Sequence, residues 1–180
     1  MVCQSTMLSV YNFWFNQLTS EDWFRVNEEV DNTIKTRFSD LLNQAIAGEC
    51  ALWRSSAKGA LCEIIVLDQF SRNIYRNTEK AFSQDPQALS LAQFAIEKGQ
   101  DKALSQQEVG FLYLPFMHSE SVEIHRQAEQ LYQNHPSYEY ELAHKTIIER
   151  FGRYPHRNAI LNRASSPEEI AFMNEPNSSF

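Results

Sequence analysis

The stretch Ala60-Leu-Cys-Glu-Ile-Ile-Val-Leu-Asp-Gln-Phe70 is apolar almost all the way around a helix. A helix of this composition needs other elements on every side, so the sequence predicts a central, buried helix here. Asp68 shares a helical face with Ile65 and Arg72. Because an ionised carboxylate on an apolar face needs a partner, we expect an ion pair with Arg72, one turn further on.

Helical patterns continue on both sides of this stretch. From Val30 to Ala47 apolar residues recur every three or four positions, and Gly48 closes the stripe. Asp85-Pro86 is expected to open another helix with Asp85 as its cap. Ser105-Gln-Gln-Glu108 has the form of a capping box, and the apolar helix after it should kink or end at Pro115.

The fold class follows from these patterns and from the scarcity of turn residues. The chain has only 5 Gly and 6 Pro in 180 residues, too few for a sandwich or barrel of short strands. Further helices are predicted over 121–133, over 137–151 and from Ser166, with a frayed tail at 174–180. We therefore predict an all-α, single domain over 1–180, a stack of antiparallel helix hairpins without a clean 34-residue repeat.

Composition and charge limit the classes of function. The formal net charge of −7 argues against a general nucleic-acid binder, whose surface must be basic. Cys3, Cys50 and Cys62 are scattered without C-x-x-C spacing, which argues against disulfides and favours a reducing cytoplasm. The first twenty residues lack the basic start of a signal peptide. No apolar run is long enough to cross a bilayer, so we expect no membrane partner.

The segment Arg150-Phe-Gly-Arg-Tyr-Pro-His-Arg-Asn158 concentrates hydrogen-bond donors in an otherwise acidic chain. Arg153 and Arg157 can present forked donors to a carboxylate or a phosphate. A helix beginning at Pro155 would add free N–H groups on the same side. The alternative is that these arginines only pair with carboxylates of the protein itself.

Two histidines lie close to these donors in the predicted fold. His118 and Glu120 follow the Pro115 helix and could act as a base and its orienting partner, or as metal ligands. The alternative is a helix end that His118 caps. His144 lies on an apolar helical face, where a satisfied core histidine is the alternative to a catalyst. His125 and His135 lie on polar stretches and are expected at the surface.

Three stretches together carry a resemblance to a known family. They are Leu67-Asp-Gln-Phe-Ser-Arg-Asn-Ile-Tyr-Arg76, Tyr113-Leu-Pro-Phe-Met-His-Ser-Glu120 and the Arg150–Asn158 segment. In this order they resemble the bacterial family called domain of unknown function 924, over nearly the whole chain. The resemblance implies an all-helical fold similar to tetratricopeptide-repeat proteins and no established activity. Ser71 stands where many relatives have Pro, and His125 where Gln is expected.

We predict a buried polar pocket between helices that binds a small anionic ligand carrying a phosphate or a carboxylate. Whether it also catalyses acid–base chemistry, and with which cofactor, stays open. No metal site is predicted. The candidate catalytic residues are His118, Glu120 and His144, and the candidate ligand-binding residues are Asp68, Arg72, Asn73, Arg153, His156, Arg157 and Asn158. The alternative is a helical-repeat adaptor for a protein partner, in which the same residues are structural clamps.

Overall fold

The computed structural model describes residues 2–176 and residue 178, and every regular element among them is helical. The all-α prediction is therefore confirmed. The α-helices are α1 (Val2–Asn12), α2 (Ser20–Phe24), α3 (Glu28–Ile46), α4 (Ala57–Ile65), α5 (Ser71–Ile74), α6 (Asp85–Glu97), α7 (Gln106–Met117), α8 (Val122–Tyr132), α9 (Tyr138–Phe151) and α10 (Pro167–Met173). Two π-helical turns, Phe13–Gln17 and Val66–Phe70, continue α1 and α4. Single turns of 3-10 helix occupy Ala51–Ser55, Glu79–Phe82, Gln100–Ala103 and Pro155–Arg157.

Helix α4 lies at the centre, as its composition predicts. Every residue from Gly59 through the π turn to Phe70 is buried. The helix contacts α1, α6 and α7, and the 3-10 turn Ala51–Ser55 packs against its start. Ser56 caps α4 by accepting a hydrogen bond from the backbone N–H of Gly59. The apolar surface that this helix removes from water is the main stabilising contribution of the core.

Aromatic rings join the two π turns inside this core. The ring of Phe38, on α3, lies 4.9 Å from that of Phe70 and 5.3 Å from that of Phe13. Trp14 contacts Phe70 at 5.7 Å and Phe111 of α7 at 5.5 Å, in tilted and edge-to-face geometry. Such pairs contribute about 0.5–1.5 kcal/mol each to stability beyond the burial of their surface. These ring contacts therefore hold four helices together: α1, α3, α4 and α7.

The second half of the chain packs in sequence order: α6 contacts α7, α7 contacts α8, and α8 contacts α9. This is the order that a stack of hairpins requires, but α4 also reaches across to α6 and α7, so a regular repeat stays a prediction. A small apolar cluster of Ile147, Ile148 and Tyr154 lies beside the main core. The single domain over 1–180 also stays a prediction.

The structure corrects one of the predicted helix ends. Asp85 does not cap α6, because it lies within the first turn and its carboxylate contacts two arginines. The Ser105–Glu108 capping box is confirmed. Helix α7 runs past Pro115 to Met117 before it ends.

The predicted frayed tail at 174–180 falls partly outside the described residues. Within it, the hydroxyl of Ser178 donates to the carbonyl of Met173. Across the described part of the chain, no helix combines the length and the apolar character that crossing a membrane would require.

Candidate functional site

Asp68 is the centre of the predicted site. It lies in the π turn after α4, is only 1% exposed, and accepts hydrogen bonds from Gln69 and Arg72. Its Oδ1 atom lies 2.7 Å from Nδ1 of His118, at the end of α7. Burial alone would raise the pKa of Asp68, but the charge of Arg72 and the contact with His118 outweigh it and hold the pKa well below its usual range. The predicted pair of Asp68 and Arg72 is confirmed, and Asp68 is ionised in the fold.

Asp85, at the start of α6, extends the network to the Arg150–Asn158 segment. Its two carboxylate oxygens accept from the two terminal nitrogens of Arg72, at 2.9 and 3.0 Å. The same carboxylate accepts from Nη1 of Arg157 at 3.3 Å. We call the series His118–Asp68–Arg72–Asp85–Arg157 the charge chain. Asp68 and Arg157 are thus both buried and joined through two intermediate residues.

Sequence reasoning assigned Asp85 to a helix cap and missed its place in the site. The signal that points to it is the number of charges: Arg72 and Arg157 are two guanidinium groups, so a second carboxylate besides Asp68 is needed to balance them.

The guanidinium of Arg157 is held between two aromatic rings. Its central carbon lies 4.5 Å from the ring centre of Phe82 and 4.6 Å from that of Tyr154. The residue is 6% exposed, and its Nε atom is buried without a hydrogen-bond acceptor among the described residues. Burial and the neighbouring charge of Arg72 lower the pKa of Arg157. The side chain therefore has more donors than the protein satisfies.

Tyr154 organises the histidines around this guanidinium. Its ring centre lies 5.5 Å from that of His156, 5.8 Å from that of His144 and 6.3 Å from that of His125. Its hydroxyl donates to the carbonyl of Met117 at 2.5 Å. Burial lowers the pKa of His144 to about 3 and that of His156 to about 4, so both rings are neutral at pH 7. The Nδ1 atom of His156 is buried and finds no partner in the described structure.

His125 was expected at the surface, and this prediction is wrong. Both His125 and Glu141 are 0% exposed, because α8 and α9 pack face to face. Nε2 of His125 lies 2.8 Å from the carbonyl of Ser119, which can only accept, so Nε2 carries a proton. Nδ1 lies 2.7 Å from Oε1 of Glu141, and a single proton lies between these two atoms. The pair ties Ser119, next to His118, to α9.

Glu120 does not orient a histidine. Its carboxylate accepts from both terminal nitrogens of Arg163, at 2.6 and 2.9 Å, and from the backbone N–H of Tyr154. Asn158 belongs to the same group, since it accepts from Nε of Arg163 and donates to Ser165. These contacts hold the segment after α9 against the end of α7. The orienting carboxylate for His118 is Asp68 instead.

Two further candidates are clamps between elements. Arg153 makes a forked pair with Glu169 of α10, at 2.7 and 2.9 Å. Asn73 donates to Asp31 of α3, which also accepts a forked pair from Arg76. Neither Arg153 nor Asn73 hydrogen-bonds to the charge chain. The Pro155 helix is a 3-10 turn of three residues and too short to provide the predicted dipole.

The candidate residues therefore form neighbouring groups and do not line one cavity. The charge chain reaches the surface through Arg72, His118 and Asp85, whose side chains are 19, 16 and 15% exposed. A surface groove of about 490 Å³ lies elsewhere, between α6, α7 and α8. Within residues 2–176 and 178, no group of three or more His, Cys, Asp or Glu side chains is arranged to hold a metal ion.

The fold and this network define an all-helical protein with a buried chain of alternating charges. The polypeptide chain belongs to the family described as bacterial protein of unknown function (DUF924), which it matches over residues 10–177. It is similar to the solved structure of the protein of unknown function ATU0120 from Agrobacterium tumefaciens, with 34% identity and a TM-score of 0.91. That similarity covers 95% of this chain and 98% of the other. No curated protein matches the chain.

Proposed function

We propose that this protein binds a small anionic molecule, bearing a phosphate or a carboxylate, at the guanidinium of Arg157. The observation that carries the proposal is the buried Nε atom of Arg157, which meets no acceptor in the described part of the chain. A buried donor left unpaired costs about 1–3 kcal/mol. The rings of Phe82 and Tyr154 hold the guanidinium in place, so the donor cannot simply turn to solvent. A bound anion would satisfy it.

His118 supplies an acid–base group at the opposite end of the charge chain from Arg157. Because its Nδ1 atom faces the ionised Asp68, the neutral ring carries its proton there and has a lone pair on Nε2. Burial and the charge of Arg72 lower the pKa of His118 despite the opposing effect of Asp68. The ring is therefore neutral near pH 7 and able to accept a proton, as a general base oriented by a carboxylate does.

The exposed members of the charge chain support this proposal. The partly exposed side chains of Arg72, Asp85 and His118 lie on the same network as the buried Arg157. We propose that a small ligand approaches Arg157 from this exposed side. Cys50 and Cys62 are both buried and are present as thiols, which supports the proposed location in a reducing cytoplasm.

The second candidate function is a protein-interaction adaptor. It is favoured by the number of ion pairs that join separate elements. Arg153 with Glu169, Arg163 with Glu120 and Arg76 with Asp31 all join separate elements without a ligand. In that function the polar stretches only brace a tetratricopeptide-like stack whose surface takes a protein partner.

A thermal-shift screen against phosphorylated and carboxylated metabolites separates the two functions. The wild type and Arg157→Lys are compared with Arg76→Lys, which also removes a forked arginine but on Asp31, outside the charge chain. The proposal predicts ligand-dependent stabilisation in the wild type and in Arg76→Lys, and none in Arg157→Lys. Stabilisation that persists in Arg157→Lys, or no hit at all, would contradict anion binding and favour the adaptor.

A further inference from the structure

Arg157 differs from other arginines of this protein in how it uses its guanidinium. Arg54, Arg76 and Arg153 each direct the Nε and Nη2 atoms, which lie on one edge of the group, at the two oxygens of a carboxylate. The hydrogen bonds of these three forks measure 2.6 to 2.9 Å. Arg157 instead uses Nη1, at 3.3 Å, on the shared carboxylate of Asp85. Its buried Nε atom, on the edge that the other three arginines use, has no acceptor among the described residues.

From this comparison we infer that the natural ligand presents a carboxylate that fills the Nε–Nη2 edge of Arg157, as protein carboxylates fill the same edge of Arg54, Arg76 and Arg153. The inference rests on the proposed function and names the chemical class of its ligand. A planar, singly charged group with two oxygens matches the two parallel donors of this edge.

The charges around the edge favour a carboxylate over a phosphate. In the charge chain the two arginines are balanced by two aspartates, and the nearby Arg163 is balanced by Glu120. The histidines around Tyr154 are buried, and His144 donates its Nδ1 proton to the carbonyl of Tyr140, as a neutral ring can. A carboxylate brings one negative charge into this neutral surrounding, whereas a phosphate dianion brings two and needs more donors than one edge supplies.

A second buried nitrogen without a partner in the described part of the chain lies on the neighbouring residue. The Nδ1 atom of His156, the residue before Arg157, is buried and also lacks a partner in the described structure. His156 and Arg157 both pack on the ring of Tyr154. Two neighbouring side chains with unsatisfied buried nitrogens are expected where a polar molecule completes the site.

The test uses two small probes, sodium acetate and inorganic phosphate, at pH 7.5 and constant ionic strength. Melting temperature is measured for the wild type, Arg157→Lys and Arg76→Lys. Phosphate stabilises proteins in general by exclusion from their surface, and subtracting the response of Arg157→Lys removes that effect. After this subtraction, we expect acetate to raise the melting temperature of the wild type by about 2–4 °C once its concentration reaches about five times its Kd. The rise should be retained in Arg76→Lys.

The outcomes distinguish the inference from the proposed function. A phosphate response that depends on Arg157 and exceeds the acetate response would overturn the carboxylate inference and leave anion binding in place. No Arg157-dependent response to either probe would overturn both. Asp85→Asn adds one positive charge to the charge chain, so it should raise the phosphate response relative to the acetate response; an unchanged ratio contradicts the charge argument.

If Arg157→Lys does not fold, ligand binding to the wild-type protein is measured directly. The arginine Nε–H resonances of the wild-type protein are then followed by NMR during titration with acetate and with phosphate. One resonance should move with acetate at lower concentration than with phosphate, because its donor becomes bonded to a carboxylate. If acetate moves none of them, the inference is wrong.

Discussion

At the scale of single residues, the buried histidines make stability depend on pH in a defined direction. Burial lowers the pKa of His144 to about 3 and that of His156 to about 4. In the unfolded chain a histidine has a pKa of about 6.5, so the unfolded state binds more protons below that pH. The stability from keeping these rings neutral is complete above pH 6.5 and is lost as the pH falls toward 4.

We predict that the free energy of unfolding decreases by up to about 1.4 kcal/mol per pH unit for each of these histidines as the pH falls below 6.5. Urea unfolding at pH 7.5, 6.0 and 5.0 measures this slope. In His144→Gln the slope should fall by the contribution of one histidine. A variant with the slope of the wild type would show that His144 is not the titrating group.

Glu141 is a second residue whose ionisation the fold controls. Burial raises its pKa, although His125 acts in the opposite direction. Because the folded pKa lies above the ordinary value, any stability that protonated Glu141 contributes is complete at low pH and is lost as the pH rises. Its charge is therefore not what the fold requires.

Replacing Glu141 separates the hydrogen bond from the charge. In Glu141→Gln an amide N–H can donate to Nδ1 of His125, so we expect a loss of unfolding free energy below about 1 kcal/mol at pH 7.5. Glu141→Leu leaves Nδ1 buried and unpaired and should cost about 1–3 kcal/mol more. Chemical denaturation of both variants tests this. Equal losses would mean that the hydrogen bond contributes nothing.

At the scale of elements, the start of α4 depends on a close approach of backbone. A Cβ atom on Gly59 would lie 2.0 Å from the carbonyl oxygen of Trp53, in the 3-10 turn that packs on α4. Helix propensity alone predicts that Gly59→Ala stabilises by up to about 1 kcal/mol. The steric contact destabilises the fold by more than the helix propensity stabilises it, because a backbone carbonyl must move.

We therefore predict that Gly59→Ala lowers the free energy of unfolding by at least about 3 kcal/mol. Gly110→Ala is the matched control, since its added Cβ would meet the ring of His135, a partly exposed side chain that can move. Its loss should be clearly smaller. Urea unfolding followed by far-UV circular dichroism compares the two, and a stable Gly59→Ala would contradict the close contact.

At the scale of the whole molecule, Asp85 connects distant parts of the chain. Its carboxylate joins Arg72 of α5 to Arg157 of the segment after α9, from a position at the start of α6. Removing one member of a buried ion pair typically costs about 3–5 kcal/mol. Because Arg72 keeps its pair with Asp68 and Asp85 is partly exposed, the loss for Asp85 should lie at the lower end of that range.

We predict a loss of that size for Asp85→Asn in equilibrium unfolding. Asp31→Asn is the comparison, because Asp31 is about as exposed but pairs with one arginine only. It should cost less than Asp85→Asn. A smaller loss for Asp85→Asn than for Asp31→Asn would show that the two arginines of the charge chain do not depend on the shared carboxylate.

The sequence predicts the contacts that local spacing determines and not those that depend on chain path. The pair Asp68 and Arg72 follows from one helical turn, and the burial of α4 follows from its apolar circumference. The contact of His118 with Asp68 spans 50 positions, so spacing contains no information about it. His125 lies on a polar stretch, yet helix packing buries it, because Glu141 and Ser119 satisfy both ring nitrogens.

The π turn Val66–Phe70 has a consequence for which length changes the protein tolerates. Each residue of an α-helix advances the side chains by about 100°, and a π turn contains one residue more than α-helical spacing would place there. Deleting Val66 would let this turn close with α spacing, so Arg72 would keep nearly the phase that directs it at Asp85. The surplus residue of the π turn therefore makes this helix tolerant of a one-residue deletion within the turn.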